Sequence, residues 1–206
     1  MTTAYQEVFD NATTISINKR RPVAQTVSRD GSIRSTSLGG GTWQFEVLLP
    51  NGPRWQEYRP LIERMEALDL NTTATIQING TGMDYIIGYQ GNFTSPNSVQ
   101  VSYTSGNTVT ITSNPEVLTS GQKKFVAGDV IQLGSSGSVY SVVEDVAHDS
   151  NTVTLNRPVL DSAGTYTLLT GTSVTWSVIC VNFPNWTIFG YDQISWDGAF
   201  VFAEAV

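Results

Sequence analysis

The chain has 206 residues, a formal charge of −7 at pH 7, and only 14% charged residues. Its 40% hydrophobic content is enough for a buried core, but an acidic chain does not hold nucleic acid by neutralising phosphates, so that class of binding is excluded. No run approaches the roughly 20 apolar residues of a membrane span, and the N-terminus MTTAYQEVFD lacks the features of a signal peptide, which predicts synthesis in a cytoplasm and no membrane partner.

The charge is unevenly distributed along the chain. Residues 1–69 carry eight acidic and eight basic side chains, whereas residues 70–206 carry ten acidic side chains against Lys123, Lys124 and Arg157. A surface of this kind repels a passing polyanion. The basic triplet Lys19-Arg20-Arg21, between the strand-like runs 14–17 and 23–27, is interpreted as a solvated strand end, with an interface as the alternative.

The first clear elements are a strand at 42–49 and a helix at 55–68, joined by the turn Pro50-Asn51-Gly52-Pro53. Pro60 either kinks this helix or marks its true first turn. The helix has one apolar stripe, which predicts one packing face. The predicted packing residues are Tyr58, Leu61, Ile62, Met65 and Leu68.

Everything after Leu70 has the pattern of β structure. Strands are predicted at 72–78 and 85–89, and a hairpin at 99–113 turns at Ser105-Gly106-Asn107. Further short strands follow up to residue 158, and five such strands suffice for a small barrel. We therefore expect a mainly β fold in which a barrel at 95–170 interrupts a discontinuous domain made of 1–94 and 171–206.

Aromatic residues crowd the last part of the chain. In isolation they could form a platform for stacking sugars, but their alternation along strands favours a sandwich core or a subunit interface. They are Trp176, Phe183, Trp186, Phe189, Tyr191, Trp196, Phe200 and Phe202.

The sequence offers little for catalysis. His148 is the only histidine, Cys180 is the only cysteine, and neither has a partner that would make a nucleophilic site or a zinc site. The run 145–151 has oxygen ligands for calcium but not the spacing of an EF-hand, and no carboxylate pair stands out. We predict no catalytic residues, no metal ligands and no cofactor.

Two segments carry a resemblance to the distal tail protein family of long-tailed bacteriophages. Trp43-Gln44-Phe45-Glu46-Val47, the proline turn, and the helix with Arg59-Pro60-Leu61 and Met65 resemble that family's tail-tube-like domain. The runs 126–134, 139–143 and 152–158 resemble a small barrel of oligonucleotide/oligosaccharide-binding (OB) shape inserted in some members.

The resemblance implies a structural virion protein rather than an enzyme. Members form a hexameric ring between the tail tube protein and the baseplate hub or tail-tip protein, with tail fibres as a further candidate partner, and DNA crosses the lumen without specific binding. A carbohydrate- or receptor-binding module is the alternative, and a cell-wall-degrading enzyme ranks last.

Overall fold

The computed structural model describes residues 3–20, 23–29, 31–37, 41–68, 72–80, 82–135 and 137–205. Short 3-10 turns occur at Asp84–Ile86, Pro96–Ser98 and Gly171–Ser173. The α-helices of this part of the chain are α1 (Ala4–Asp10) and α2 (Trp55–Glu66). Its strands are β1 (Thr14–Arg20), β2 (Val23–Val27), β3 (Ile33–Ser37), β4 (Thr42–Leu48), β5 (Thr73–Gln77), β6 (Gln100–Tyr103), β7 (Thr108–Ser113), β8 (Lys123–Phe125), β9 (Val130–Leu133), β10 (Val139–Ser141), β11 (Val146–Ala147), β12 (Thr152–Thr154), β13 (Gly164–Thr170), β14 (Thr175–Asn182), β15 (Asn185–Phe189), β16 (Gln193–Asp197) and β17 (Phe200–Glu204).

The mainly β fold class predicted from the sequence is confirmed. By contacts, residues 1–11 and 74–177 form one compact unit and residues 12–73 and 178–206 form another. The domain boundaries expected from turn signals lie elsewhere, at 94/95 and 170/171. We call the two observed groups the barrel unit and the sandwich unit.

The barrel unit contains a six-stranded antiparallel sheet in the order β10-β9-β13-β6-β7-β12. The sheet curls on itself, because Val142, directly after β10, forms a bridge with Leu155, directly after β12. The Val143 amide donates to Thr154 O at 2.9 Å and the Asn156 amide to Ser141 O at 3.0 Å. The two outer strands therefore meet, which gives a barrel-like fold compatible with an OB-fold and removes most of the sheet's free edge.

One continuous apolar core fills the barrel. Every buried member of the core lies between residues 93 and 168, and strands alternate between buried and exposed positions as in β7. The largest buried side chains of this core are those of Tyr140, Phe93 and Phe125.

Helix α1 belongs to the barrel unit and has no counterpart among the sequence predictions. The Thr3 hydroxyl caps it by accepting the Gln6 amide at 3.2 Å. The Gln6 side chain forms two hydrogen bonds with the backbone of Gln77 in β5. Its Nε2 donates to Gln77 O at 2.8 Å, and its Oε1 accepts the Gln77 amide at 2.7 Å. Tyr5, Val8 and Phe9 bury one face of the helix.

In the sandwich unit, β1, β4, β17 and β14 are successive antiparallel neighbours. Alternate residues of β4 are buried, and Phe45 faces Phe202 across the ladder with β17. In sequence, β14 spans the boundary of the two units, with residues 175–177 in the barrel unit and 178–182 in the sandwich unit. Two separate hairpins, β2–β3 and β15–β16, complete this unit.

Several local expectations differ from the structure. The predicted strand at 85–89 is wrong: a 3-10 turn occupies Asp84–Ile86, since Gly82 and Gly88 flank a stretch too short to pair. The sequence from Ile194 to Val206 has the pattern of one closing strand, but the structure has two strands there, because Gly198, at φ 109°, turns the chain between β16 and β17. The helix runs through Pro60 without starting there, and it ends at Glu66.

Within the described residues, no helix is long and apolar enough to cross a membrane.

Replacing Met65 tests the packing of α2. Met65 is 6% exposed, so Met65→Ala should lower the free energy of unfolding by about 2 to 5 kcal/mol. Glu63→Ala, on the exposed face of the same helix, should stay within about 0.5 kcal/mol. Chemical denaturation of both variants checks this, and equal small effects would contradict the packing.

Candidate assembly surface

The predicted packing face of α2 lies against aromatic side chains of the sandwich unit. Tyr58, Leu61, Ile62 and Met65 are buried, whereas Leu68 is half-buried and lies beyond the last helical residue. The Tyr58 ring meets the edge of Trp196 at a centroid distance of 6.1 Å. The helix therefore presents one apolar stripe to strand β16.

The turn before α2 is hydrogen-bonded to β16 along its whole length. The Gly52 amide donates to Ile194 O at 2.9 Å, and the Ile194 amide donates to Pro53 O at 3.0 Å. The Trp55 amide donates to Asp192 O at 2.9 Å. The Asn51 side chain adds a fourth bond, because its Oδ1 accepts the Trp196 amide at 2.8 Å. We call this set of contacts the turn–hairpin clamp.

Stacking reinforces the turn–hairpin clamp at the start of the helix. The rings of Trp55 and Trp186 lie 4.7 Å apart at an interplanar angle of 27°. Both tryptophans are half-buried. An aromatic pair of this geometry stabilises the contact by about 0.5 to 1.5 kcal/mol beyond the area it buries. Both strands of the hairpin are therefore attached to α2 or to the turn before it: β16 by hydrogen bonds and β15 by the stacked tryptophans.

Beyond the clamp, the hairpin exposes apolar side chains to solvent. Ile188 is 50% exposed, Phe189 46%, and Tyr191, in the connecting turn, is fully exposed. Ile188 and Phe189 are adjacent in β15 and so point to opposite faces of the strand. The connection uses left-handed backbone at Gly190 and at Asp192, where φ is 73°. We call Ile188, Phe189 and Tyr191 the hairpin patch.

The crowded aromatic residues therefore divide into three groups by exposure. Trp176, Trp196, Phe200 and Phe202 are buried in the core, and Phe183 and Trp186 are half-buried. Phe189 and Tyr191 remain at the surface. The sequence pattern could not separate the buried aromatic residues from the exposed ones.

The two most nucleophilic candidates lie in different surroundings. Cys180 is buried in β14, its Sγ lies 3.5 Å from Asn182 O, and burial raises the pKa of its thiol to about 11. His148 Nδ1 lies 3.9 Å from the Asp149 carboxylate, and the imidazole is partly exposed. A thiol with so high a pKa is a poor nucleophile at neutral pH.

Asp145, a carboxylate near His148, forms an ion pair and a hydrogen bond within the barrel unit. Asp145 Oδ2 pairs with Lys123 Nζ at 2.5 Å, and Asp145 Oδ1 accepts the Ala127 amide at 2.9 Å. The hydrogen bond from Lys123 lowers the pKa of Asp145. Among the described residues, no three His, Cys, Asp or Glu side chains gather to hold a metal ion.

Buried polar groups of the barrel fasten its loops. Asp129 accepts the amides of Gln90 and Val126, each at 2.8 Å, although burial raises the pKa of this carboxyl. Tyr140 Oη donates to Asp161 Oδ2 at 2.7 Å and accepts the Leu160 amide at 2.8 Å. Burial raises the pKa of Tyr140 to about 12. Sequence reasoning singled out none of these groups.

The barrel unit also has a pocket of about 270 Å³ with an uncharged lining. Its most buried polar group, Gln132, is occupied by internal bonds: Nε2 donates to Gly137 O at 2.8 Å and Oε1 accepts the Thr175 amide at 3.0 Å. The remaining groups are hydroxyls and backbone atoms. The lining residues are Thr75, Gln132, Ser135, Gly137, Thr175 and Ser177.

Comparisons with protein-family models and with curated proteins found no match to this chain. Function must therefore be argued from the surfaces just described.

Removal of the Asn51 side chain should loosen the clamp. Asn51→Ala leaves the partly buried Trp196 amide without its acceptor, so we expect a loss of about 1 to 3 kcal/mol in the free energy of unfolding. Asn185→Ala, at an exposed position of β15, is the matched control and should have little effect. Denaturant melts and amide exchange at Trp196 provide the measurement; unchanged protection of that amide in Asn51→Ala would contradict the clamp.

Proposed function

We propose that this chain is a structural protein of a bacteriophage tail, of the distal tail protein kind. In this proposal it forms a ring that connects the tail tube to the tail tip or baseplate hub and surrounds the DNA channel. The observation that carries the proposal is the hairpin patch, an apolar surface that is held rigidly and left uncovered by the single chain.

The physical argument concerns the edge of a sheet. A strand that is apolar on both faces and has one unpaired edge invites association with other chains. β15 has an unpaired edge, since β16 is its one paired neighbour among the described strands, and it exposes one large apolar side chain on each face, Ile188 and Phe189. In a closed ring, a finite number of copies covers all such surfaces. If the contacts do not close, copies keep adding and the protein aggregates.

The electrostatics of the barrel unit support a surface that does not bind DNA. This unit carries nine acidic side chains against Lys123, Lys124 and Arg157. Lys123 is paired with Asp145, and Lys124 is buried with its Nζ donating to Ser150 O and Asn151 Oδ1 at 2.8 and 2.6 Å. Arg157 is buried, and its Nη2 donates to Val139 O at 2.8 Å. None of the three bases is placed to hold a phosphate chain.

A carbohydrate- or receptor-binding module is the second candidate. It is favoured by the exposed aromatic rings of Phe189 and Tyr191 on the same hairpin as the Trp55–Trp186 stack. Aromatic faces of this kind bind sugars by stacking. Binding of cell-wall oligosaccharides by a monomer, lost in Tyr191→Ala, would favour this candidate over the ring.

The first test of the proposal is the mass of the assembly. We expect the purified chain, alone or in assembled tails, to form a closed ring of six copies, because the hairpin patch then lies against a neighbour. Light scattering and cross-linking measure the number of copies. Tyr191→Ala together with Phe189→Ser should weaken the assembly, whereas Val117→Ser, which changes an equally exposed apolar residue of the barrel unit, should not. Monomers in both settings would remove the proposal.

The second test addresses chemistry. If the role is structural, replacing His148, Cys180 and Asp149 together should leave tail assembly and infectivity intact, because these are the most plausible residues for nucleophilic, general-base or metal chemistry. Cys180→Ala alone is the control for stability, since Cys180 is buried. A folded triple variant whose tails assemble but do not infect would favour an enzyme.

A further inference from the structure

The chain contains two Asn-Gly pairs, Asn51-Gly52 and Asn79-Gly80. Glycine has no Cβ, so its backbone nitrogen can closely approach the side-chain carboxamide of the preceding asparagine. In that geometry the nitrogen can attack Cγ and the asparagine loses ammonia, which is the first step of deamidation. The attack needs a glycine amide that is not hydrogen-bonded and a carboxamide that can turn toward it. Whether either pair reacts therefore depends on the fold around it.

Asn51-Gly52 belongs to the turn–hairpin clamp and is held at both reacting groups. The Gly52 amide donates to Ile194 O at 2.9 Å. Asn51 Oδ1 accepts the Trp196 amide at 2.8 Å and lies 3.5 Å from the Ser195 hydroxyl. Both the amide and the carboxamide must leave these partners before Gly52 N can reach Cγ. The fold therefore opposes deamidation here, although the Asn51 side chain is exposed.

Asn79-Gly80 follows β5 in the barrel unit and lacks this restraint. Asn79 is as exposed as Asn51 by class, and Gly80 is half-buried. Among the described residues, no hydrogen bond holds the Asn79 carboxamide or the Gly80 amide; Gly80 takes part through its carbonyl, which accepts the Met83 amide at 3.2 Å. The two pairs thus differ in hydrogen bonding rather than in exposure.

We propose that Asn79 is a site of spontaneous deamidation in the folded protein and that the turn–hairpin clamp protects Asn51. Hydroxide removes the proton of the Gly80 amide, and the nitrogen forms a bond to Asn79 Cγ. The bond from Cγ to Nδ2 breaks, and Nδ2 leaves as ammonia after taking a proton from water. Water then opens the cyclic imide at Cγ, which gives aspartate, or at the backbone carbonyl, which gives isoaspartate. The chain gains one negative charge, and no oxidant or reductant takes part.

The new charge arises beside the end of α1. Gly80 adjoins Asp10, since a Cβ built on Gly80 would lie 3.9 Å from Asp10 Cα. Asp10 Oδ1 accepts Gln6 Nε2 at 2.8 Å, and the same Gln6 side chain fastens α1 to β5. A second carboxylate next to Asp10 adds like-charge repulsion at this junction. Deamidation of Asn79 should therefore loosen the attachment of α1.

Incubation of the full-length chain in mildly alkaline buffer, followed by trypsin and mass spectrometry, measures both sites at once. Asn51 and Asn79 fall in separate peptides, residues 35–54 and 65–123, and fragment spectra assign the converted residue. Conversion adds about 1 Da to the peptide. In the folded protein, Asn79 should convert at least about tenfold faster than Asn51, because Asn51 reacts only when the clamp opens locally.

Two controls separate the fold from the local sequence. In guanidinium chloride both pairs lose their native hydrogen bonds, so the two rates should converge. Gly80→Ala should slow conversion of Asn79 by about tenfold, since a Cβ shields the backbone nitrogen. The added methyl group meets its neighbours only at ordinary van der Waals distances, and circular dichroism checks that this variant is folded.

Equal rates at the two sites in the folded protein, or an unchanged rate in Gly80→Ala, would overturn the proposed site. A difference that persists in guanidinium chloride would show that the clamp does not protect Asn51. Asn79→Asp carries the charge of the product and should speed amide exchange at Val8 and Phe9 in α1; unchanged exchange would contradict the expected effect on that helix. None of these outcomes depends on whether the chain forms a ring.

Discussion

The surface on which this account depends is held by the antiparallel contact between the turn 51–54 and strand β16. Three backbone hydrogen bonds and the Asn51 side chain fasten the start of α2 to the β15–β16 hairpin. Without them the hairpin would be held by its aromatic contacts alone, and a two-stranded sheet with little support is marginally stable. Ile188, Phe189 and Tyr191 lie on this fastened hairpin and are exposed.

Packing of the buried face of α2 explains why this helix tolerates a proline in its interior. Pro60 cannot donate to the carbonyl of Gln56 and crowds it, which costs the isolated helix several kcal/mol. Burial of Tyr58, Leu61, Ile62 and Met65 in the sandwich unit offsets this cost. The helix therefore forms because of its tertiary contacts, and its intrinsic propensity contributes little.

The two hairpins of the sandwich unit differ in how they are supported. β15–β16 is held by backbone hydrogen bonds and by stacked tryptophans, whereas residues 25–29 and 31–33 of β2–β3 and its turn are exposed. A supported apolar surface suits a permanent subunit contact.

Elements with a strong local period could be predicted from the sequence. The alternation in β4 and the apolar stripe of α2 each reflect one buried face, and the hairpin β6–β7 follows from its Ser-Gly-Asn turn. Helix α1 was missed because it has only seven residues, although Thr3 and Gln6 have the spacing of a capping box. The clamp itself was beyond sequence reasoning, because Asn51 and Trp196 are 145 residues apart and nothing local marks their contact.

Exposure was equally hard to predict for the aromatic residues near the C-terminus. Trp196 and Phe189 lie in similar apolar runs, yet one is 6% exposed and the other 46%. Which of the two is covered depends on where α2 docks, and that position is set by the clamp. From the sequence alone, therefore, an exposed aromatic surface was one of the possible roles of these residues, beside burial in a core.

The most direct measurement of the central claim is electron microscopy of the purified chain and of tails that contain it, with rotational analysis of end-on class averages. The account predicts rings with sixfold symmetry and an open centre, with barrel units spaced regularly around them. Particles without rotational symmetry, or rings with a closed centre, would contradict it.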